Sequence, residues 1–94
     1  MTPILDSRQL LAMMVLARTG SFTATGKQLC LTQSAVSHAI KALEEELECA
    51  LFERTGRGVT LTTNGQKFIP YVERILTEME AARGVLAVGK TLAG

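Results

Sequence analysis

A mainly α-helical fold, with three short helices, a small β-hairpin and a long final helix, is predicted by three features of this 94-residue chain. Apolar residues recur at helical spacing through most of it, as in Val36, Ile40, Leu43 and Leu47. The period falls to two at Val59-Thr60-Leu61-Thr62, just after the turn-forming run Arg54-Thr55-Gly56-Arg57-Gly58. Further on, Phe68, Val72, Ile75, Met79, Ala82 and Leu86 step by 4, 3, 4, 3 and 4, which is a heptad seam.

In chain order, residues 1–5 read as a frayed start. Asp6 or Ser7 caps a first helix that runs to about Thr19, with Leu10, Met13, Met14 and Ala17 facing inward. Gly20 ends it, as a residue tolerant of positive φ should. Phe22 then precedes Thr23, the expected cap of a second helix reaching about Leu29. Gly26 costs that helix about 1 kcal/mol relative to alanine, or serves a close approach to a neighbouring helix. Cys30, Leu31 and Thr32 form a tight connection, and Thr32 caps a third helix over Gln33–Leu47. Two short helices, a turn of three or four residues and a polar-faced second helix make the helix-turn-helix pattern.

The hairpin is expected to pair 51–53 with 59–61 across a basic tip. Two strands are marginal alone, so this hairpin must lean on the helices. Thr62 or Thr63 caps the last helix; Thr63 with Gln66 has the capping-box spacing. Pro70 removes one backbone bond and predicts a kink or a looser start. A helix over 63–88 extends about 39 Å, too long to pack along its whole length on so small a body. Residues 89–94 read as a tail.

The totals bound the rest. A chain of this length is one domain, or a domain plus an extension. A net charge of +1 argues for no partner by itself. Its distribution says more: Glu44, Glu45, Glu46 and Glu48 crowd together, whereas 54–67 holds three cations and no acid. Cys30 and Cys49 stand apart without metal-ligand spacing, which suits packed thiols in a reducing compartment better than a disulfide or zinc. No cofactor or metal is implied. One histidine, no phosphate loop and no paired carboxylates in a cleft leave no enzyme chemistry to assign. No run is long and apolar enough for a membrane span. The opening residues lack the plan of a signal peptide, so the expected location is cytoplasmic.

The third helix carries the functional signal. Opposite its apolar stripe lie Gln33, Ser34, Ser37, His38 and Lys41, hydrogen-bonding side chains with no negative charge among them. A carboxylate there would be repelled by phosphate, and the acids come only in the last turns.

At this point the chain resembles the N-terminal DNA-binding domain of LysR-type transcriptional regulators over nearly its full length. The resemblance rests on Gly20-Ser21-Phe22-Thr23, Leu29, Gln33-Ser34-Ala35-Val36-Ser37, Ile40, Leu43-Glu44, Leu47, Leu51-Phe52-Glu53-Arg54, Leu61-Thr62 and Gly65, in order and at family spacing. It implies a winged helix-turn-helix, a three-helix core with a two-stranded β wing, over residues 1–61. It implies that residues 62–94 form a linker helix that pairs with its twofold mate, plus a tail. It also implies a C-terminal effector-binding domain of roughly two hundred residues outside this chain; a small-molecule effector is expected only there, and a tetramer only in the full-length protein. Three departures stand out. The family usually has phenylalanine near Met13, two small alanines at Thr25-Gly26, and glycine at Glu48. Glu48 bears on how the third helix ends, and Thr25-Gly26 on how tightly the second one packs.

The partner so implied is double-stranded DNA, read by a homodimer on a near-palindromic operator. Gln33 suits an adenine edge, Ser34 and Ser37 a base or a phosphate, and His38 the groove. Lys41 suits phosphate, as do Ser21 and Thr23 at the start of the second helix. Arg54 and Arg57 flank the wing turn and suit backbone or minor groove, unless Glu53 engages Arg54 locally. Thr32, Thr55 and Thr62 complete the candidate DNA-facing set. Phe68, Val72, Ile75, Met79, Ala82 and Leu86 form the candidate dimer interface. The rival reading is a coiled-coil interaction module that uses the 63–88 helix, with the helix-turn-helix as scaffold.

Overall fold

The computed structural model describes residues 4–93, and side chains as far as residue 87. Of the expected frayed start, residues 1–3 lie outside the described residues, and so does Gly94 of the expected tail. The elements run α1 (Ser7–Thr19), α2 (Phe22–Leu29), α3 (Gln33–Leu47), β1 (Phe52–Thr55), β2 (Gly58–Leu61) and α4 (Thr63–Ala93).

Each helix starts where a side-chain oxygen can satisfy a free amide. Asp6 accepts from the Arg8 amide at 2.8 Å, Ser21 from Ala24 at 3.1 Å and Thr32 from Ala35 at 3.0 Å. Thr62 accepts from Gly65 at 3.1 Å, so Thr62 and not Thr63 caps α4. The cap of α2 corrects the sequence expectation. Ser21 holds the extended conformation of a cap (φ −143°), and Thr23 already lies inside the helix.

The helix ends show how the family departures are accommodated. Gly20 takes φ 67° and returns its amide to the Leu16 carbonyl. After α2 and α3, the left-handed position falls to Cys30 (φ 58°) and Glu48 (φ 57°). Leu31 bonds back to Gly26, and Cys49 to Glu44, which closes both helices with a paired carbonyl set despite the missing glycine. Gly26 is needed for this closure. A Cβ there would lie 2.7 Å from the Leu31 carbonyl oxygen, and 3.5 Å from the Gln33 nitrogen, so the close approach is to the turn and to the start of α3. Thr25 is fully buried, and its hydroxyl pairs with Thr19 at 2.8 Å. The larger side chain thus brings its own partner into the α1–α2 contact.

The core gathers Leu10, Ala12, Met13 and Leu16 of α1 with Val36, Ile40 and Leu43 of α3, then Leu51, Val59 and Val72. Burial on α1 is shifted from the expected stripe: Ala12, Val15 and Leu16 join Leu10 and Met13 in the core, whereas Met14 and Ala17 are only half-buried, because α2, α3 and α4 all pack on this helix. Leu5 also packs against this core, so the chain is anchored ahead of the first helix. Cys49 packs against the core too, whereas Cys30 is exposed, contrary to the expectation of two packed thiols.

The hairpin is longer than expected. Phe52 pairs with Leu61 and Thr55 with Gly58, which draws Arg54 and Thr55 into β1 and leaves Gly56 and Arg57 at the tip. It leans on the helices through the Val59 amide, bonded to Gly20 at 3.2 Å.

In α4 the helix assignment passes through Pro70 and on to Ala93, so the stretch 89–93 is helical rather than a tail. Glycine lowers helix propensity without a steric clash, which permits this. The heptad seam divides. Val72 is wholly buried (0% exposed) in its own chain, and Phe68 packs beside it with Ile69 and Leu76. Val72 therefore covers the body instead of facing a partner, while Phe68 is half-buried. Ile75 and Met79 are 38% and 49% exposed, Leu86 is 74% exposed, and Ala82 is exposed as well.

Candidate nucleic-acid interface

The apolar stripe of α3 decides what its other side shows. With Val36, Ile40 and Leu43 buried, Gln33, Ser34, Ser37, His38 and Lys41 are all exposed. They line one shallow hollow together. Thr23 of α2 joins them through a long hydrogen bond from its hydroxyl to Gln33 Oε1, 3.4 Å. That contact holds the amide end of Gln33 at the head of the ridge. Thr32 and Ser21 use oxygen lone pairs in capping, and a hydroxyl so used still has a proton to donate. Capping and anion contact are thus compatible at both helix starts, where the dipole also favours negative charge.

Across a groove from the ridge stands the wing. Ser37, Ile40, Lys41 and Glu44 of α3 line this groove with Phe22, Phe52, Glu53, Arg54 and Val59. The guanidinium of Arg54 lies over the Phe22 ring, 5.0 Å from its centre. Such stacking orients an arginine without neutralising it. The alternative, a local pairing of Arg54 with Glu53, does not form. Among the described residues the ion pair present is Arg8 with Asp6, far back on α1, so Lys41, Arg54 and Arg57 are not tied up in close ion pairs.

Two candidates carry another duty. The Thr55 hydroxyl donates to the Gly58 carbonyl at 3.4 Å and accepts from Arg57 N at 3.3 Å, which shapes the tip. The Thr62 hydroxyl donates to Ala50 at 2.7 Å while capping α4, so it ties the long helix to the foot of the wing. Sequence reasoning missed Phe22 as the platform for Arg54 and Glu44 as a wall of the groove. Neither has a local signal, because both act across the fold. Also missed was a long surface groove between α1 and α4, with Leu11, Met14, Leu76 and Met79 at its apolar centre and Arg8, Arg18, Glu73, Glu80 and Arg83 around it.

Comparison with known proteins fits this geometry. Residues 7–66 match the model of the bacterial regulatory helix-turn-helix proteins of the lysR family. The chain belongs to that family. An uncharacterized HTH-type transcriptional regulator from the ibpB–leuC intergenic region of Azotobacter vinelandii is 45% identical over 82 residues, covering 87% of this chain and 57% of that protein. The crystal structure of VV2_1132, a LysR family transcriptional regulator, matches with a TM-score of 0.84 and 38% identity over 93% of this chain and 30% of its own. The CbnR DNA-binding domain, solved in complex with DNA, matches with a TM-score of 0.79 and 31% identity over 93% of this chain and 99% of its own. These LysR-family relatives are transcriptional regulators, not enzymes. No helix among the described residues is long and apolar enough to cross a membrane.

Proposed function

We propose that this chain is the DNA-binding part of a cytoplasmic transcriptional regulator and reads double-stranded DNA sequence-specifically as a dimer. The observation that carries the reading is the acid-free, exposed ridge of α3, held outward by Val36, Ile40 and Leu43. In this reading, α3 enters the major groove. Gln33, Ser34, Ser37 and His38 meet base edges or phosphates, and Lys41, Ser21, Thr23 and Thr32 hold the backbone. Arg54 and Arg57 fasten the wing to flanking backbone or minor groove, while Thr55 and Thr62 act by shaping and seating that wing. Residues 1–61 form the reading body and 62–94 the linker. Ile75, Met79, Ala82 and Leu86, the exposed part of the seam, meet their twofold mates. Two α3 helices then address major grooves about 34 Å apart, or a multiple of that, and the operator is a near-palindrome. Effector control and tetramer formation belong to a further domain of the full-length protein.

Selection of bound sites from a random duplex pool tests the reading. The expected outcome is a twofold-related pair of half-sites at fixed separation, bound with an affinity that falls steeply as salt is added. No duplex binding even at low salt would leave α4 as a protein-interaction helix on a helix-turn-helix scaffold.

A further inference from the structure

We propose that Glu44 is a positioning residue for DNA recognition, one that fixes the angle between the α3 ridge and the wing so that both meet one duplex. The proposal rests on the DNA-binding reading above. Glu44 lies one turn beyond Lys41 on α3. A single carboxylate oxygen, Oε2, accepts the backbone N–H of Leu51 at 2.7 Å and of Phe52 at 3.2 Å. Its backbone carbonyl accepts the Glu48 and Cys49 amides that close the helix. One residue therefore grips the chain on both sides of the connection from α3 to β1. The bond from Leu51 is at the short end of the N–H···O range.

The grip is needed because a two-stranded hairpin has little rigidity of its own. The other hydrogen bonds that hold the wing come from the α1–α2 connection, through Gly20 to Val59, and from the head of α4, through Thr62 to Ala50 and Leu51. Among the described residues, Glu44 supplies the hydrogen bonds between α3 and the wing. Its side chain also walls the groove whose rim carries Ser37, Lys41 and Arg54. An acid so near a phosphate-facing ridge would otherwise oppose binding. Two amide dipoles aimed at its carboxylate offset that charge inside the protein.

A double-mutant cycle on the 94-residue chain tests this. Affinity for a selected duplex is measured for the parent, Arg57→Ala, Glu44→Ala and the double variant, with Gln33→Ala taken through the same cycle. Arg57→Ala is expected to weaken binding about fivefold to tenfold in the parent and less than about twofold beside Glu44→Ala, because an unanchored wing no longer delivers its arginine. The cost of Gln33→Ala should be the same in both backgrounds. A general loss of folded protein would scale all affinities alike and leave both costs intact. Equal Arg57 costs in the two backgrounds would overturn the proposal, whereas a parent that binds no duplex would overturn the DNA reading instead. If Glu44→Ala does not fold, the parent chain decides by NMR. The Leu51 and Phe52 amides should be protected from hydrogen exchange as bonded donors are, and amides that exchange freely would remove the anchor.

Discussion

The outward faces of α3 and the far half of α4 are both exposed, yet they are made of opposite material. On α3 the solvent side holds an amide, hydroxyls, an imidazole and an ammonium, with the carboxylates held back to the last turns. On α4 beyond Val72 it keeps Ile75, Met79 and Leu86 among charges of both signs. A ridge free of acids tolerates a polyanion, whereas an exposed apolar stripe calls for another protein surface. In the proposed reading, the difference separates a surface for DNA from a surface for assembly, although both come from the same amphipathic spacing.

The comparison breaks first at the core. Leu43→Ala empties a fully buried site behind the reading face and should cost about 2–5 kcal/mol in denaturant unfolding. Leu86→Ala, on the exposed end of α4, should leave that stability unchanged and weaken self-association in sedimentation. If Leu86→Ala unfolds the body instead, the far half of α4 is part of the core. Next comes the division of labour on the DNA side. Gln33→Ala should lose about 1–3 kcal/mol on the selected site and little on random duplex. Arg57→Ala should weaken both alike and reduce the salt slope by about one unit. Equal effects of both changes on selected and random DNA would erase that distinction.

Smaller effects sharpen the picture. Glu48→Gly relieves a left-handed position and should raise unfolding stability by roughly 1 kcal/mol or less, since glycine also gains freedom in the unfolded chain. Any loss would mean that the Glu48 side chain does more than close α3. The smallest effect belongs to Asp6. A hydrogen bond from the Arg8 amide, helped by the Arg8 side chain, holds its carboxyl below the ordinary value of 3.8. Because the folded value is depressed, this stabilisation is full above the ordinary range and is lost as pH falls through the lowered one. The melting temperature of Asp6→Ala should therefore trail the parent slightly at neutral pH and converge with it in strong acid.

Much of this was legible in advance where the signal is local. Asp6, Gly20 and Thr32 mark helix boundaries through their own side chains or lack of one, and the structure uses each as expected. The α3 ridge was legible because helical spacing fixes what lies opposite Val36, Ile40 and Leu43. The α2 cap was misplaced because Ser21 and Thr23 have the same chemistry, and the choice depends on where Gly20 turns the chain. Val72 was assigned to a partner because a heptad seam looks the same whether its own body or a second helix covers it.

The chain by itself determined the order of helices and hairpin and which face of α3 is acid-free, since these depend on neighbours within a few positions. Only the folded arrangement decided that Val72 of the α4 seam is spent on the core, that Arg54 rests on Phe22, and that Glu44 reaches the start of β1. Those contacts join residues distant in sequence, and their worth depends on burial and orientation that no local pattern encodes.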